Sequence, residues 1–247
     1  MDLKNKVVWV TGAAQRLGRA MALDLARRGA DVVVHYNTSA AEARATVEEI
    51  KALGRRAVAL QADLTQVGQI KDLVTAIEQE FGRLDALVNS AANFIRVPLE
   101  EINESVYDLS LDTNLKGPTF CALEAARLIR ATGGGKIVNF ADWAGFRPYK
   151  NYLPYLLAKG GIITLTKALA LELAPEIAVN AVAPGPVLPP PDTTEEFKAM
   201  MIRQVPLKRL GSPEDIVATV AFLLEGSDYI TGQVICVDGG RLIANSA

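Results

Sequence analysis

The chain has little that would bind a metal or staple a fold. Its 247 residues include one histidine, and its two cysteines, Cys121 and Cys236, stand far apart in neither a metal-ligand nor a CxxC spacing. A disulfide framework and a zinc site are therefore not expected. No basic run occurs and the formal net charge is −2, so nucleic acid and anionic membrane surfaces are not expected as partners. No apolar stretch approaches the length of a membrane span, and MDLKNK leads into an apolar run too short for a signal segment. The chain is read as cytoplasmic, with a small molecule as its partner. What is present is an ordinary globular composition, 50% hydrophobic and 22% charged, long enough to bury a sizeable core.

Apolar strand-like runs at 7–10, 31–36, 57–63, 84–91, 136–142, 178–184 and 234–240 alternate with helix-like segments at 16–28, 40–53, 66–81, 104–131 and 155–174. Such alternation predicts α/β architecture: a doubly wound parallel sheet, a Rossmann fold, with helices on both faces. The absence of a linker or repeat makes 1–247 a single domain. One irregular segment, PGPVLPPPDTT at 184–194, is too rich in proline for helix or central strand. With the helical-looking 194–203 behind it, it is expected to form a substrate lid near 184–205, with Met200 and Met201 left open between cover and packing.

The stretch TGAAQRLGR at 11–19 follows the first strand and opens the first helix, the setting in which backbone N–H groups cradle a pyrophosphate. Gly12, Arg16, Leu17 and Gly18 are its candidate cofactor residues. A second absence matters here. No Asp or Glu stands at the end of the second strand, where His35-Tyr36-Asn37-Thr38-Ser39 is found. An acid there would bond a ribose 2′-hydroxyl and repel a 2′-phosphate, so Asn37, Thr38 and Ser39, with Arg16, favour NADP(H). His35 is a cofactor neighbour at most, since a lone strand-end imidazole is more often a structural hydrogen-bonder.

Tyr155 and Lys159, spaced i and i+4, share a helix face, and an ammonium beside a phenol is expected to lower the phenol's pKa. Asp142 ends the fifth strand and Asn114 lies inside the long helix. With Thr11-Gly12 and Gly18, Asp63-Leu64, Asn89-Ser90-Ala91 and Pro184-Gly185, these residues give the chain an ordered set of matches along nearly its whole length. The sequence resembles the short-chain dehydrogenase/reductase family. That resemblance implies that Asp63 contacts adenine and that Asn89 lines the cofactor path, with Leu64, Ala91, Pro184 and Gly185 also at the cofactor. It further implies that Asn114 holds a water in a proton relay to Lys159, that Lys159 binds the nicotinamide ribose, and that Tyr155 donates the proton.

Three departures from the common pattern stand out. Arg16 occupies the place of the loop's middle glycine, Asp142 that of the usual catalytic serine, and the threonine that commonly follows Pro-Gly is missing, which puts the carboxamide contact in doubt. The first two, together with HYNTSAAEA at 35–43, Phe94 and Tyr152, resemble the pteridine reductase branch. There a phenylalanine matching Phe94 and the nicotinamide sandwich a pterin, the arginine matching Arg16 meets cofactor phosphate and pterin, and Asp142 and Tyr155 share substrate binding and proton delivery. Ala92 is a mismatch, replacing a serine that contacts the pterin in that branch. Trp143 and Tyr149 are read as pocket wall or packing. The expected function is NADPH-dependent reduction of a pterin, dihydropteridine or folate-like planar heterocycle. The alternatives are a reductase of 3-ketoacyl thioesters or small ketones on the same fold, and a non-catalytic NADP(H) sensor. Apolar residues on the 104–131 and 155–174 helices exceed the needs of one sheet face, and the family is commonly tetrameric, so a homotetramer is expected.

Overall fold

The structure, a computed structural model, describes residues 1–189 and 193–244. Among them, seven strands form one parallel sheet: β1 (Val7–Val10), β2 (Asp31–Tyr36), β3 (Ala57–Gln61), β4 (Ala86–Asn89), β5 (Gly135–Phe140), β6 (Ile177–Pro184) and β7 (Val234–Val237), in the order β3-β2-β1-β4-β5-β6-β7. The doubly wound expectation is met. Alternation along β1 and β2 assigns residues to two cores. Val8, Val10, Val32 and Val34 face helices α1 (Arg16–Arg27), α2 (Ala40–Ala52) and α8 (Pro213–Glu225), meeting Met21, Ile50 and Ile216. Val7, Trp9 and Val33 point the opposite way, towards α3 (Val67–Phe81), α5 (Gly117–Ala131) and α6 (Leu153–Glu172), meeting Ile70, Cys121 and Leu169. Strands buried on both faces need apolar runs, and each such side chain fully removed from water contributes roughly 1.5–3 kcal/mol.

Connections from β1 run to one side of the sheet and those from β4 to the other, because β1 lies between β2 and β4. The loops after these two strands diverge, leaving the crevice at which open α/β sheets bind ligands.

Several boundaries differ from the sequence reading. The apolar runs overshoot the strands, because their final residues leave the ladder for side-chain partners: Ser90 and Ala91 donate their amides to Thr11 Oγ1 at 2.9 and 3.0 Å. The stretch 104–131 is not one helix. It divides into α4 (Glu104–Leu111), a π-turn over Asp112–Lys116, and α5, with the Gly117 amide bonding the Asp112 carbonyl. Helix α6 begins two residues before Tyr155, with Pro154 in its first turn. Helix α8 was not anticipated, although Ser212-Pro213-Glu214-Asp215 spells its capping box, the Asp215 carboxylate accepting from Ser212 N at 2.8 Å. In the expected lid, α7 (Glu195–Gln204) follows the N-cap Thr194, and Pro190, Pro191 and Asp192 lie outside the described residues. No helix among the described residues is long and apolar enough to cross a membrane.

Candidate active site

A cleft of about 640 Å³ opens over the ends of β1, β2 and β4, a size suited to a small-molecule ligand. Its lining includes Gly12, Arg16, Leu17, Gly18, His35, Asn37, Thr38, Ser39, Asp63, Leu64 and Ala91, all singled out from sequence. The glycine loop is pressed tight beneath it. At Gly12, whose φ is +66°, an added Cβ would lie 3.0 Å from the Ala91 Cα, and at Gly18 it would lie 2.1 Å from the Gly12 carbonyl oxygen. Only bare backbone fits there, which is the condition for close approach by a pyrophosphate.

His35 is buried and holds this loop from below. Its Nδ1 accepts from the Gly12 amide at 3.1 Å, and its Nε2 lies 3.0 Å from the Ala62 carbonyl, to which it donates in that tautomer. Burial pushes its pKa down to about 4, against the bond to Ala62, so the ring is neutral and keeps its accepting nitrogen. Arg16 adopts φ +51°, and its guanidinium donates to the carbonyl of Leu188, itself at φ +49°. Both residues line the cleft, so the contact clasps the loop after β1 to the loop after β6.

The chemical groups gather at the neighbouring end of β5. Asp142 accepts from the Ala144 amide through Oδ1 at 2.8 Å and from the Tyr155 hydroxyl through Oδ2 at 2.7 Å. Burial raises its carboxyl above the ordinary range, opposed by those bonds and by Lys159. Lys159 is buried, donates to the Phe140 carbonyl at 2.7 Å, and lies 5.7 Å from the Tyr155 ring centre. Its pKa is held down at about 8 by desolvation, with Asp142 pulling it up. Phe94, about half exposed, stacks on Tyr152 at 4.5 Å and meets Tyr155 edge-on at 4.9 Å. Tyr152 touches Tyr149, and Tyr149 stacks on Trp143, completing an aromatic wall beside Asp142.

The family model described as Enoyl-(Acyl carrier protein) reductase matches residues 12–241. Curated relatives include 3-oxoacyl-[acyl-carrier-protein] reductase FabG of Staphylococcus epidermidis, 40% identical over 96% of this chain and 98% of the relative. Another is the 3-oxoacyl-[acyl-carrier-protein] reductase of Synechocystis, 37% identical over 98% of each chain. Among solved structures, acetoin dehydrogenase from Enterobacter cloacae superposes with a TM-score of 0.90 at 36% identity, covering 98% of this chain and 97% of the other. The chain belongs to the short-chain dehydrogenase/reductase family.

As a short-chain oxidoreductase, the protein corrects several of the expectations above. Lys159 does not lower the Tyr155 pKa: burial first, then the charge and hydrogen bond of Asp142, raise it well above the ordinary phenol value. The carboxyl is the phenol's direct partner, while the ammonium is turned to Phe140. Asn89 is not in the cleft lining; it is buried, and its amide donates to the Pro118 carbonyl and to Asn139 Oδ1, bracing β4 against α5 and β5. Pro184 and Gly185 do not line it either. Gly185 has a packing reason instead, since a Cβ there would lie 2.5 Å from the Asp238 Cα.

Asp63 borders the cleft, but its Oδ1 is engaged by the amide and hydroxyl of Thr65, an Asx turn ahead of α3. The Asn114 side chain donates to Asn93 Oδ1 and the Ser110 carbonyl and accepts from the Asn93 amide, so it holds the loop carrying Phe94. Tyr155 and Lys159 are set back from the cleft, whose lining reaches Asn93 and Ile95 on either side of Phe94. Sequence reasoning missed the bracing roles of Thr11 and Asn93. A polar residue directly before Phe94 at a strand exit was the available signal for the second.

Proposed function

We propose that this short-chain oxidoreductase is an NADP(H)-dependent reductase of a flat nitrogen heterocycle of the pterin type. The observation that carries this reading is the partly buried Asp142 carboxyl 2.7 Å from the Tyr155 hydroxyl, beside the half-exposed ring of Phe94. A carboxyl at that position can accept from ring N–H groups or help protonate a ring nitrogen. Next to a ketone oxygen gaining negative charge, an ionised carboxylate would be repulsive where a hydroxyl would donate. Phe94 offers a stacking face for a planar ring.

The cleft fits a dinucleotide. Gly12 and Gly18 leave bare backbone for its pyrophosphate, and Asn37, Thr38 and Ser39, with the Arg16 cation, suit a 2′-phosphate. When bound, NADPH supplies the hydride. Tyr155, kept protonated by its raised pKa, delivers the proton, and Asp142 orients the phenol. Lys159 places a cation behind the pair.

The activities named for the relatives favour a second reading over this one: reduction of a 3-oxoacyl thioester. The deciding experiment is NADPH oxidation by the purified protein with dihydrobiopterin, dihydrofolate and acetoacetyl thioester in parallel. Turnover of the pterin substrates supports the first reading, and activity confined to the thioester replaces it with the second. NADPH binding with no turnover of any substrate leaves a sensor. We further propose a homotetramer, supported by the exposed Leu109, Leu123 and Leu157 on α4, α5 and α6. Light scattering on the eluting protein tests it, and a monomer at assay concentration overturns it.

A further inference from the structure

We propose that Arg241 is a positioning residue that latches the cover of the substrate pocket to the wall beside Asp142. It stands in the turn after β7 and joins two elements distant in sequence. Its guanidinium lies over the Trp143 ring at 4.9 Å, and its Nη2 donates to Oε1 of Gln204, the last residue of α7, at 2.8 Å. Trp143 is the outer end of the aromatic wall, which continues through Tyr149 and Tyr152 to Phe94 and the edge of Tyr155.

The turn that presents Arg241 is itself fixed. Asp238 accepts from the Gly240 amide at 2.9 Å and from the Leu242 amide at 2.6 Å, and Arg147 donates to the carbonyls of Leu242 and Ala244. Burial and the neighbouring Arg147 charge lower the Arg241 pKa against the pull of Asp238, and the ring face and the amide oxygen are the groups the guanidinium meets directly. None of Trp143, Gln204 and Arg241 lines the dinucleotide cleft. Trp143 directly follows Asp142 and heads the ring stack that ends at Phe94, so the latch acts on the substrate side of the site. α7 gains a tie to a rigid turn, and the wall of stacked rings gains a cap at its open end.

This inference rests on the reading that Phe94 and Asp142 border the substrate pocket, so its test carries readouts that need no substrate. Arg241→Ala, Arg241→Lys, Gln204→Ala and the Arg241→Ala/Gln204→Ala double variant are compared with wild type. Trypsin cutting of α7 at Lys198 and Arg203 is expected to speed up about tenfold in each alanine variant, with no further gain in the double. Arg241→Ala also shifts the emission of Trp143, the other tryptophan, Trp9, being fully buried in the core. With a substrate the wild type turns over, KM rises about tenfold, kcat stays within about threefold and NADPH affinity within about twofold. Arg241→Lys restores the emission more than the protection of α7, since an ammonium keeps the cation on the ring but lacks the planar fork.

Unchanged trypsin cutting in folded Arg241→Ala, additive effects in the double variant, or an equal loss of NADPH affinity overturns the latch. If no offered substrate is turned over, the proposed reaction fails while the trypsin and emission measurements still decide the latch.

Discussion

Replacing Asp142 by asparagine keeps the shape of the side chain and removes its charge. The amide oxygen can still accept from Ala144, but the NH2 now faces the Tyr155 oxygen as a donor, so the phenol proton has to turn elsewhere. The larger consequence falls on Lys159. Burial lowers its pKa to about 8, and Asp142 is the group that raises it. Through an effective dielectric of about 20, a unit charge in the same cluster is worth on the order of 2–3 kcal/mol, or about one and a half to two pH units. Removing an anion beside a cation destabilises the protonated form, so the lysine loses its proton at lower pH. Wild-type reduction is expected to decline above about pH 8, as the buried ammonium titrates. In Asp142→Asn the same decline should begin roughly one and a half to two units lower, leaving kcat/KM at pH 7.5 down about tenfold or more. The assay is the pH profile of kcat/KM for NADPH oxidation, with NADPH affinity measured separately. A decline at the wild-type pH would mean that Asp142 is already uncharged in the working enzyme, and the electrostatic reasoning would fall.

The neutral His35 makes stability depend on acid. Its pKa is about 4 folded against 6.5 ordinarily, so the unfolded chain binds the extra proton between those values and stability is lost as pH falls through that window. The loss is about 2 kcal/mol between pH 7.5 and 5, and the gap in unfolding free energy between wild type and His35→Asn, read by urea denaturation, should narrow by that amount; a constant gap refutes it. Gly18→Ala drives a methyl into the Gly12 carbonyl, and we expect a stability loss of about 3 kcal/mol or more and at least about tenfold weaker NADPH binding, read by urea denaturation and fluorescence titration. Wild-type affinity in that variant would show that the loop is not the pyrophosphate cradle. Arg16→Gly should move two quantities in opposite directions. It relieves a left-handed backbone worth about 1 kcal/mol, and it removes the cation, so thermal stability rises while NADPH affinity drops about tenfold. A variant that loses both would place the arginine's main work in the clasp to Leu188.

What could be read from sequence was what spacing and period control. The apolar run at β1 followed by Gly12 and Gly18 located the cleft, and Asp142 at a strand exit with Tyr155 at the start of a helix located the chemical groups. Which group touches which could not be read that way. The i and i+4 spacing of Tyr155 and Lys159 said nothing of the ammonium turning to the Phe140 carbonyl, or of Asp142 taking the phenol, and so the direction of the tyrosine's pKa was misjudged. The family resemblance implied that Asn89 lines the cofactor path, but the sequence could not show the amide partners that bury it, which come from α5 and β5. Helix α8 was hidden because IVATVAFLL is apolar almost all round, which erases the period that marks a helix.

The π-turn at Asp112–Lys116 has an effect beyond its own five residues. Each residue of a helix advances the azimuth by about 100°, so one residue more than a regular turn requires rotates everything downstream by about a quarter of a revolution. A continuous rod with a single stripe would address one neighbour. This one changes phase midway, so that α4 meets α6 while α5 meets α3 on the far side of the layer. Asn114 sits at the phase change and grips Asn93. The setting of the Phe94 ring is thereby tied to the winding of a helix, and a one-residue deletion in that turn would dial away the ring's support together with Thr113, which lines the cleft from the same turn.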